Sequence, residues 1–124
     1  MSLGSAVLVL LGGFLGGAAR FFVSGVVGAR VGELFPWGTL VVNVTGAFAV
    51  GLLAGLGHGL GGLGRDFLIV GVCGGYTTVS SFALQTLALG LDGQGRQATL
   101  NVIASAGLAM LAVAFGFRTA AIAP

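Results

Sequence analysis

Four long apolar segments, separated by short polar stretches, make up almost the whole sequence. They run near residues 5–27, 38–56, 67–89 and 98–117. A helix of about 20 predominantly apolar residues is long enough to cross a hydrocarbon layer of roughly 30 Å. The pattern therefore predicts one transmembrane domain, residues 1–124, built as an all-α membrane protein with four transmembrane helices.

The third apolar segment carries an interruption near its middle. Residues 74–78 read Gly-Gly-Tyr-Thr-Thr, and glycine and threonine both disfavour a continuous helix. We therefore predict that this helix breaks near the membrane midplane, where freed backbone carbonyls suit an ion. A helix that restarts at Thr78 places Thr78, Ser81, Phe82 and Gln85 on one face. That face offers hydroxyl and amide donors, one aromatic ring and no formal charge.

Polar side chains also occur inside the other apolar segments. Thr39 and Asn43 lie four residues apart in the second segment, and Asn101 and Ser105 have the same spacing in the fourth. Such residues either hydrogen-bond neighbouring helices or line an ion pathway, and spacing alone leaves both open. Arg20 lies well inside the first segment, where a charge must snorkel, find a partner or face an aqueous vestibule.

Three of these stretches resemble motifs of one known family. Residues 74–82, GGYTTVSSF, are similar to the GG-x-TTFSTF signature of the Fluc/CrcB fluoride channels. The resemblance extends to GGFLGGAARFF at residues 12–22 and GTLVVNVTGAF at residues 38–48, in the family's order. Two positions depart from the family pattern: Val79 replaces the first phenylalanine of the signature, and Gln85 replaces a common glutamate.

The resemblance implies a fluoride-selective channel that exports fluoride passively and so reduces its toxicity in the cytoplasm. The fluoride pathway would then be lined by Asn43, Phe82, Thr39, Thr78, Ser81 and Ser105. Arg20 would make a vestibule electropositive. The resemblance also implies an antiparallel, dual-topology dimer with a structural sodium ion on its axis, held by the backbone carbonyls of Gly74 and Thr77.

Composition and charge agree with a membrane protein and exclude several other classes. Hydrophobic residues make up 56% of the chain and charged residues only 6%. All five basic residues are arginines and are widely separated, so the chain has no nucleic-acid patch. Arg30 and Arg96 occupy loops on one side, and Arg65 and Arg118 lie on the other. This balance gives no orientation signal and permits insertion both ways.

Two other functions are alternatives to the channel. A small multidrug transporter shares the length and the dual topology, but it depends on an intramembrane glutamate that this chain lacks. A pore-deficient subunit that pairs with a paralogue is a further alternative, because of Val79 and Gln85. An enzyme is excluded, since no nucleophile and base can be paired. His58 and the lone Cys73 receive no role. We expect a homodimer in the lipid bilayer of a prokaryotic inner (plasma) membrane, with no nucleic-acid partner.

Overall fold

The computed structural model describes residues 2–122, and every regular element among them is helical. Four helical spans are long and apolar enough to cross a membrane: Leu3–Val31, Trp37–Gly55, Gly61–Leu91 and Gly95–Ile122. The prediction of an all-α chain with four such helices is therefore confirmed. The spans at the two ends of the chain extend past the predicted apolar segments, because helical hydrogen bonding continues through the polar residues that flank them.

The third span is made of several pieces. We label the first two spans α1 (Leu3–Val31) and α2 (Trp37–Gly55), and the last span α6 (Gly95–Ile122). Between them, the third span comprises α3 (Gly61–Arg65), a π-helix (Asp66–Cys73), α4 (Gly74–Tyr76) and α5 (Ser80–Leu91). A short 3₁₀ turn, Gly57–Gly59, precedes it. The hydrophobic pattern gave no indication of the π-helix.

The non-helical stretch of the third span lies at Thr77–Val79 and not at the two glycines. Gly74 keeps ordinary helical angles, with φ −62° and ψ −39°, whereas Thr77 is extended at φ −78° and ψ 156°. The predicted break at residues 74–78 therefore overlaps the observed stretch at Thr77 and Thr78, while Gly74 and Gly75 stay helical. Gly75 instead allows close packing, since a Cβ there would overlap the backbone of Gly13 in α1. The new helix begins at Ser80, two residues later than predicted.

Helix α1 packs directly on the backbone of the third span. A Cβ on Gly12 would lie 2.9 Å from the Cα of Gly71, and one on Gly16 would overlap the carbonyl of Val72. Backbones approach this closely in membrane proteins where small residues line the contact. The glycines of α1 therefore fix the π-helix and α4 against α1.

Helices α2 and α6 form a second close pair. A Cβ on Gly51 would overlap the Val113 carbonyl, and one on Gly116 would overlap the carbonyl of Phe48. The rings of Phe48 and Phe115 lie 5.8 Å apart at the same contact. Helix α2 also lies beside the Thr77–Val79 interruption, since its Gly46 packs against Thr77.

Candidate functional site

The side chain of Asn43 holds the interrupted stretch in place. Its Nδ2 donates to the Thr78 carbonyl over 2.8 Å, and its Oδ1 accepts from the Thr78 N–H over 2.7 Å. Both backbone groups of a residue without helical partners are thereby satisfied by one amide. Because an asparagine amide carries two donor hydrogens, one N–H of Asn43 is left for another acceptor.

The neighbouring residues of α2 complete the contact with the interruption. Gly46 lies so close that a Cβ there would overlap the Thr77 methyl group and approach the Tyr76 ring to 3.1 Å. The Tyr76 hydroxyl lies 2.9 Å from Thr45 Oγ1, and Thr45 in turn donates to the Val41 carbonyl over 2.7 Å. Thr45 and Tyr76 were not among the predicted site residues. These two residues are 31 positions apart in the sequence, so no local pattern predicts that they pair.

Two carbonyl oxygens at the interruption lack helical partners. The Thr78 N–H donates to Asn43 and so leaves the Gly74 carbonyl, four residues earlier, without its usual donor. The Thr77 carbonyl likewise accepts no hydrogen bond from any residue in the described range 2–122. The Thr77 side chain does not compete for this position, because its hydroxyl donates back to the Cys73 carbonyl over 3.0 Å.

Thr78 lies just before helix α5 and not on the helical face that was predicted for it. Its side chain is buried, and its Oγ1 accepts from the Ser81 N–H over 3.1 Å. The same oxygen lies 3.2 Å from the Ser80 hydroxyl. Thr78 therefore satisfies one of the free N–H groups at the start of α5, as a helix-capping hydroxyl does.

A cleft of about 660 Å³ lies between the ends of α1, α2 and α5. Thr39, Ser81 and Gln85 all line it, so the structure brings together two predicted pathway residues from different helices. Gln85 Oε1 is enclosed and accepts no hydrogen bond within the described residues. The charged residues of this cleft are Glu33 and Asp92, both in connections between helices.

A second polar group lies between α5 and α6. The Ser105 hydroxyl donates to Asn101 Oδ1 over 3.3 Å, and Asn101 Nδ2 donates to Thr86 Oγ1 over 2.9 Å. The Thr86 hydroxyl donates to the carbonyl of Phe82 over 2.7 Å. Ser105 is thus connected to Phe82 and does not line the cleft of Thr39 and Ser81. Thr86 was not among the predicted site residues. A threonine four residues after Phe82 is nevertheless typical of a hydroxyl that donates to the Phe82 carbonyl within one helix.

The two remaining residues singled out in the sequence lie elsewhere. Arg20 is half-buried on α1 and does not line the cleft. Val79 is 79% exposed on the surface of the single chain. The described residues contain no group of three His, Cys, Asp or Glu side chains that could hold a metal ion.

Comparison with known proteins identifies the family. Residues 7–117 match the family described as CrcB-like protein, Camphor Resistance (CrcB). A relative named fluoride-specific ion channel FluC 4, from Brucella abortus biovar 1 (strain 9-941), is 58% identical over 94% of this chain and 92% of its own length. A relative named fluoride-specific ion channel FluC 2, from Rhodopseudomonas palustris (strain BisB18), is 51% identical over 92% of this chain and 91% of its own length.

At these coverages both alignments reach into all four helices and extend across positions 43 and 78. A third relative, named fluoride-specific ion channel FluC, comes from Opitutus terrae (strain DSM 11246 / JCM 15787 / PB90-1). It is 50% identical over 87% of this chain and 86% of its own length. The chain, a multi-pass membrane protein, belongs to the CrcB family.

Proposed function

We propose that this chain forms a fluoride-selective ion channel that lets fluoride leave the cell passively and so reduces its toxicity. The observation that carries this proposal is the high identity, across all four helices, to relatives named fluoride-specific ion channels. Membership of this family also makes the chain a channel and not an enzyme.

The polar groups near the interruption suit a small anion. Fluoride must exchange its hydration shell for donors, and a nearby carboxylate would repel it. The free N–H of Asn43 and the hydroxyls of Thr39, Ser81 and Thr78 are such donors, and the Ser105 hydroxyl becomes one when it turns from Asn101 toward the ion. The positive edge of the Phe82 ring adds a weaker contact of the same sign. We assign these six residues to the fluoride pathway, with Arg20 as a positive charge near one entrance.

The placement of the carboxylates argues against a proton-coupled transporter of the small multidrug type. Such a transporter needs a titratable carboxylate inside the membrane. Here Glu33 follows α1, Asp66 opens the π-helix and Asp92 follows α5, so all three lie toward helix ends. None of them contacts the interruption at Thr77–Val79. Glu33 and Asp92 do line the cleft of Thr39 and Ser81, so the neutral donors of the pathway are those beside the interruption, away from both carboxylates.

The assembly that we propose is an antiparallel homodimer. Arg30 and Arg96 lie at one end of the helices, Arg65 and Arg118 lie at the other, and all four are exposed. Equal numbers at the two ends give no preferred orientation, so both topologies are open to the chain. The named relatives are bacterial, which supports insertion in the inner membrane of a bacterium.

A sodium ion at the dimer axis is the cofactor that we propose. The free carbonyls of Gly74 and Thr77 are hard oxygen ligands, which suit such a cation. One pair from each subunit would supply four such oxygens at the membrane midplane. The freed Gly74 carbonyl supports this assignment, because Asn43 has taken the N–H that would otherwise pair with it. The ion would connect the subunits and neutralise the carbonyl dipoles.

The first prediction concerns transport. Purified protein in liposomes loaded with fluoride should release it only when valinomycin and potassium carry the compensating charge, because a channel moves net charge. Liposomes loaded with chloride should show little release under the same conditions. A fluoride electrode measures the first, and a chloride electrode the second. Fluoride release driven by a proton gradient without valinomycin would contradict the channel.

The second prediction concerns Asn43. Asn43→Ala removes a donor to the anion, and a hydrogen bond to a charged group corresponds to about a ten- to hundredfold change in rate. We expect fluoride efflux to slow by that factor while the protein remains dimeric on a sizing column. Thr45→Val, which removes a contact with Tyr76 from the same helix, is the control and should conduct. If the Asn43→Ala protein dissociates but its remaining dimers conduct normally, Asn43 serves only as a contact between helices.

The third prediction concerns the missing phenylalanine of the signature. Because Val79 is exposed and Phe82 supplies the remaining ring, we expect Phe82→Ile to impair fluoride efflux and Val79→Phe to leave it unchanged. The measurement is efflux from liposomes that contain one type of subunit. If the unaltered chain conducts only when a second, paralogous subunit is present, the homodimer is wrong.

The fourth prediction concerns sodium. A cation that binds only the folded dimer stabilises it in proportion to the logarithm of its concentration. The midpoint of thermal dimer dissociation in detergent should therefore rise with sodium chloride and stay constant in choline chloride of equal ionic strength. Identical midpoints in the two salts would exclude a bound sodium ion.

A further inference from the structure

The series of hydrogen bonds from Ser105 and Asn101 in α6 to Thr86 in α5 ends on the backbone carbonyl of Phe82. It therefore does more than pack the two helices together. Asn101 is buried, with 1% of its surface exposed, and it is one of the two largest fully buried side chains described. Its amide is engaged at both ends, by Ser105 at Oδ1 and by Thr86 at Nδ2. A buried amide is costly unless it is paired, so this pairing fixes the side chain in one orientation.

Thr86 passes this constraint on to Phe82. Its hydroxyl accepts from Asn101 and donates to the Phe82 carbonyl, over 2.9 Å and 2.7 Å. Hydrogen bonds in such a series strengthen one another in a medium of low dielectric. The local bond alone is ordinary: Thr119 makes the same contact with the Phe115 carbonyl over 2.8 Å on an exposed surface. Thr86 differs because a second helix donates to its hydroxyl.

The first turn of α5 needs such a tether. The three residues Thr77–Val79 are not helical, so the helix before the interruption does not fix the rotation of α5. On the side of the interruption, Thr78 Oγ1 accepts from the Ser81 N–H. On the side of α6, Asn101 reaches the Phe82 carbonyl through Thr86. These two contacts hold consecutive residues of the turn that carries the pathway phenylalanine.

We propose that Asn101 is a positioning residue for the fluoride pathway, which acts through the Thr86 hydroxyl to set the position of the Phe82 ring. This inference rests on the proposed channel function. The buried amide of Asn101 does not line the Thr39–Ser81 cleft, but it contributes in this way to the selectivity for fluoride over chloride.

The test compares four variants with the unaltered chain in liposomes. Asn101→Leu and Thr86→Val each remove one partner and keep the volume. The double variant replaces both partners by apolar groups, which restores helix packing without a buried unpaired polar group. Thr119→Val is the matched control, since it removes the same type of local bond without a second helix. Fluoride efflux, chloride efflux and thermal stability are measured for each.

We expect Asn101→Leu and Thr86→Val each to slow fluoride efflux about tenfold and to raise chloride efflux relative to fluoride, because the ring is no longer held. The double variant should regain stability but keep the same slow efflux and weaker selectivity. Thr119→Val should match the unaltered chain. A lower amount of folded protein reduces both fluxes equally, so the ratio of the two separates positioning from stability.

Two results would overturn the inference, and a third would overturn the proposed function. If fluoride efflux and selectivity return in the double variant, Asn101 serves helix packing only. If the single variants keep the selectivity of the unaltered chain, Phe82 is not positioned through Thr86. If the unaltered chain releases no fluoride with valinomycin and potassium, the channel itself is wrong, whatever the variants do.

Discussion

The two hydrogen bonds between the Asn43 amide and the backbone of Thr78 are the contact on which the other features of this protein depend. Inside a bilayer, an unwound residue must find partners for its N–H and carbonyl groups within the protein. Asn43 supplies both from a neighbouring helix. Because it takes the Thr78 N–H, it leaves the Gly74 carbonyl free. One side chain thus permits the interruption, keeps it in place and frees the Gly74 carbonyl, which we propose as a sodium ligand.

The glycine contacts bring the helices close enough for this arrangement. Gly16 lets α1 lie against the backbone at Val72 and Tyr76, while Gly46 lets α2 lie against Thr77. An alanine at Gly16 would meet the backbone of Val72, and one at Gly46 would meet the methyl group of Thr77. The alanine at Gly46 would push α2 away from the interruption and lengthen the two bonds from Asn43 to Thr78. The close packing of the small residues therefore sets the distance over which the Asn43 amide reaches the Thr78 backbone.

The sequence predicts the helices and much of the polar site, but not its connections. Apolar length is sufficient to find four spans, and the spacing of Thr39 and Asn43 identifies a polar face of α2. Propensity placed the break at residues 74–78, but among these only Thr77 and Thr78 are non-helical, and Gly75 stays helical in close contact with Gly13. The bond between Asn101 and Thr86 joins two helices, and no local pattern specifies which threonine an asparagine will meet.

The π-helix Asp66–Cys73 has a consequence for how this family can tolerate changes in chain length. A π-turn holds one residue more than an α-turn, so this run accommodates residues that an α-helix of the same length would not. Loss of a single residue here would let the segment close into an α-helix. Because the π-turns absorb the lost residue, the elements after it would keep much of their direction relative to α1, whereas the same loss in an α-helix would rotate them by about 100°. A change of one residue in chain length is therefore tolerated better in this stretch than in α5, but Gly71 must stay small because it packs against the backbone of Gly12.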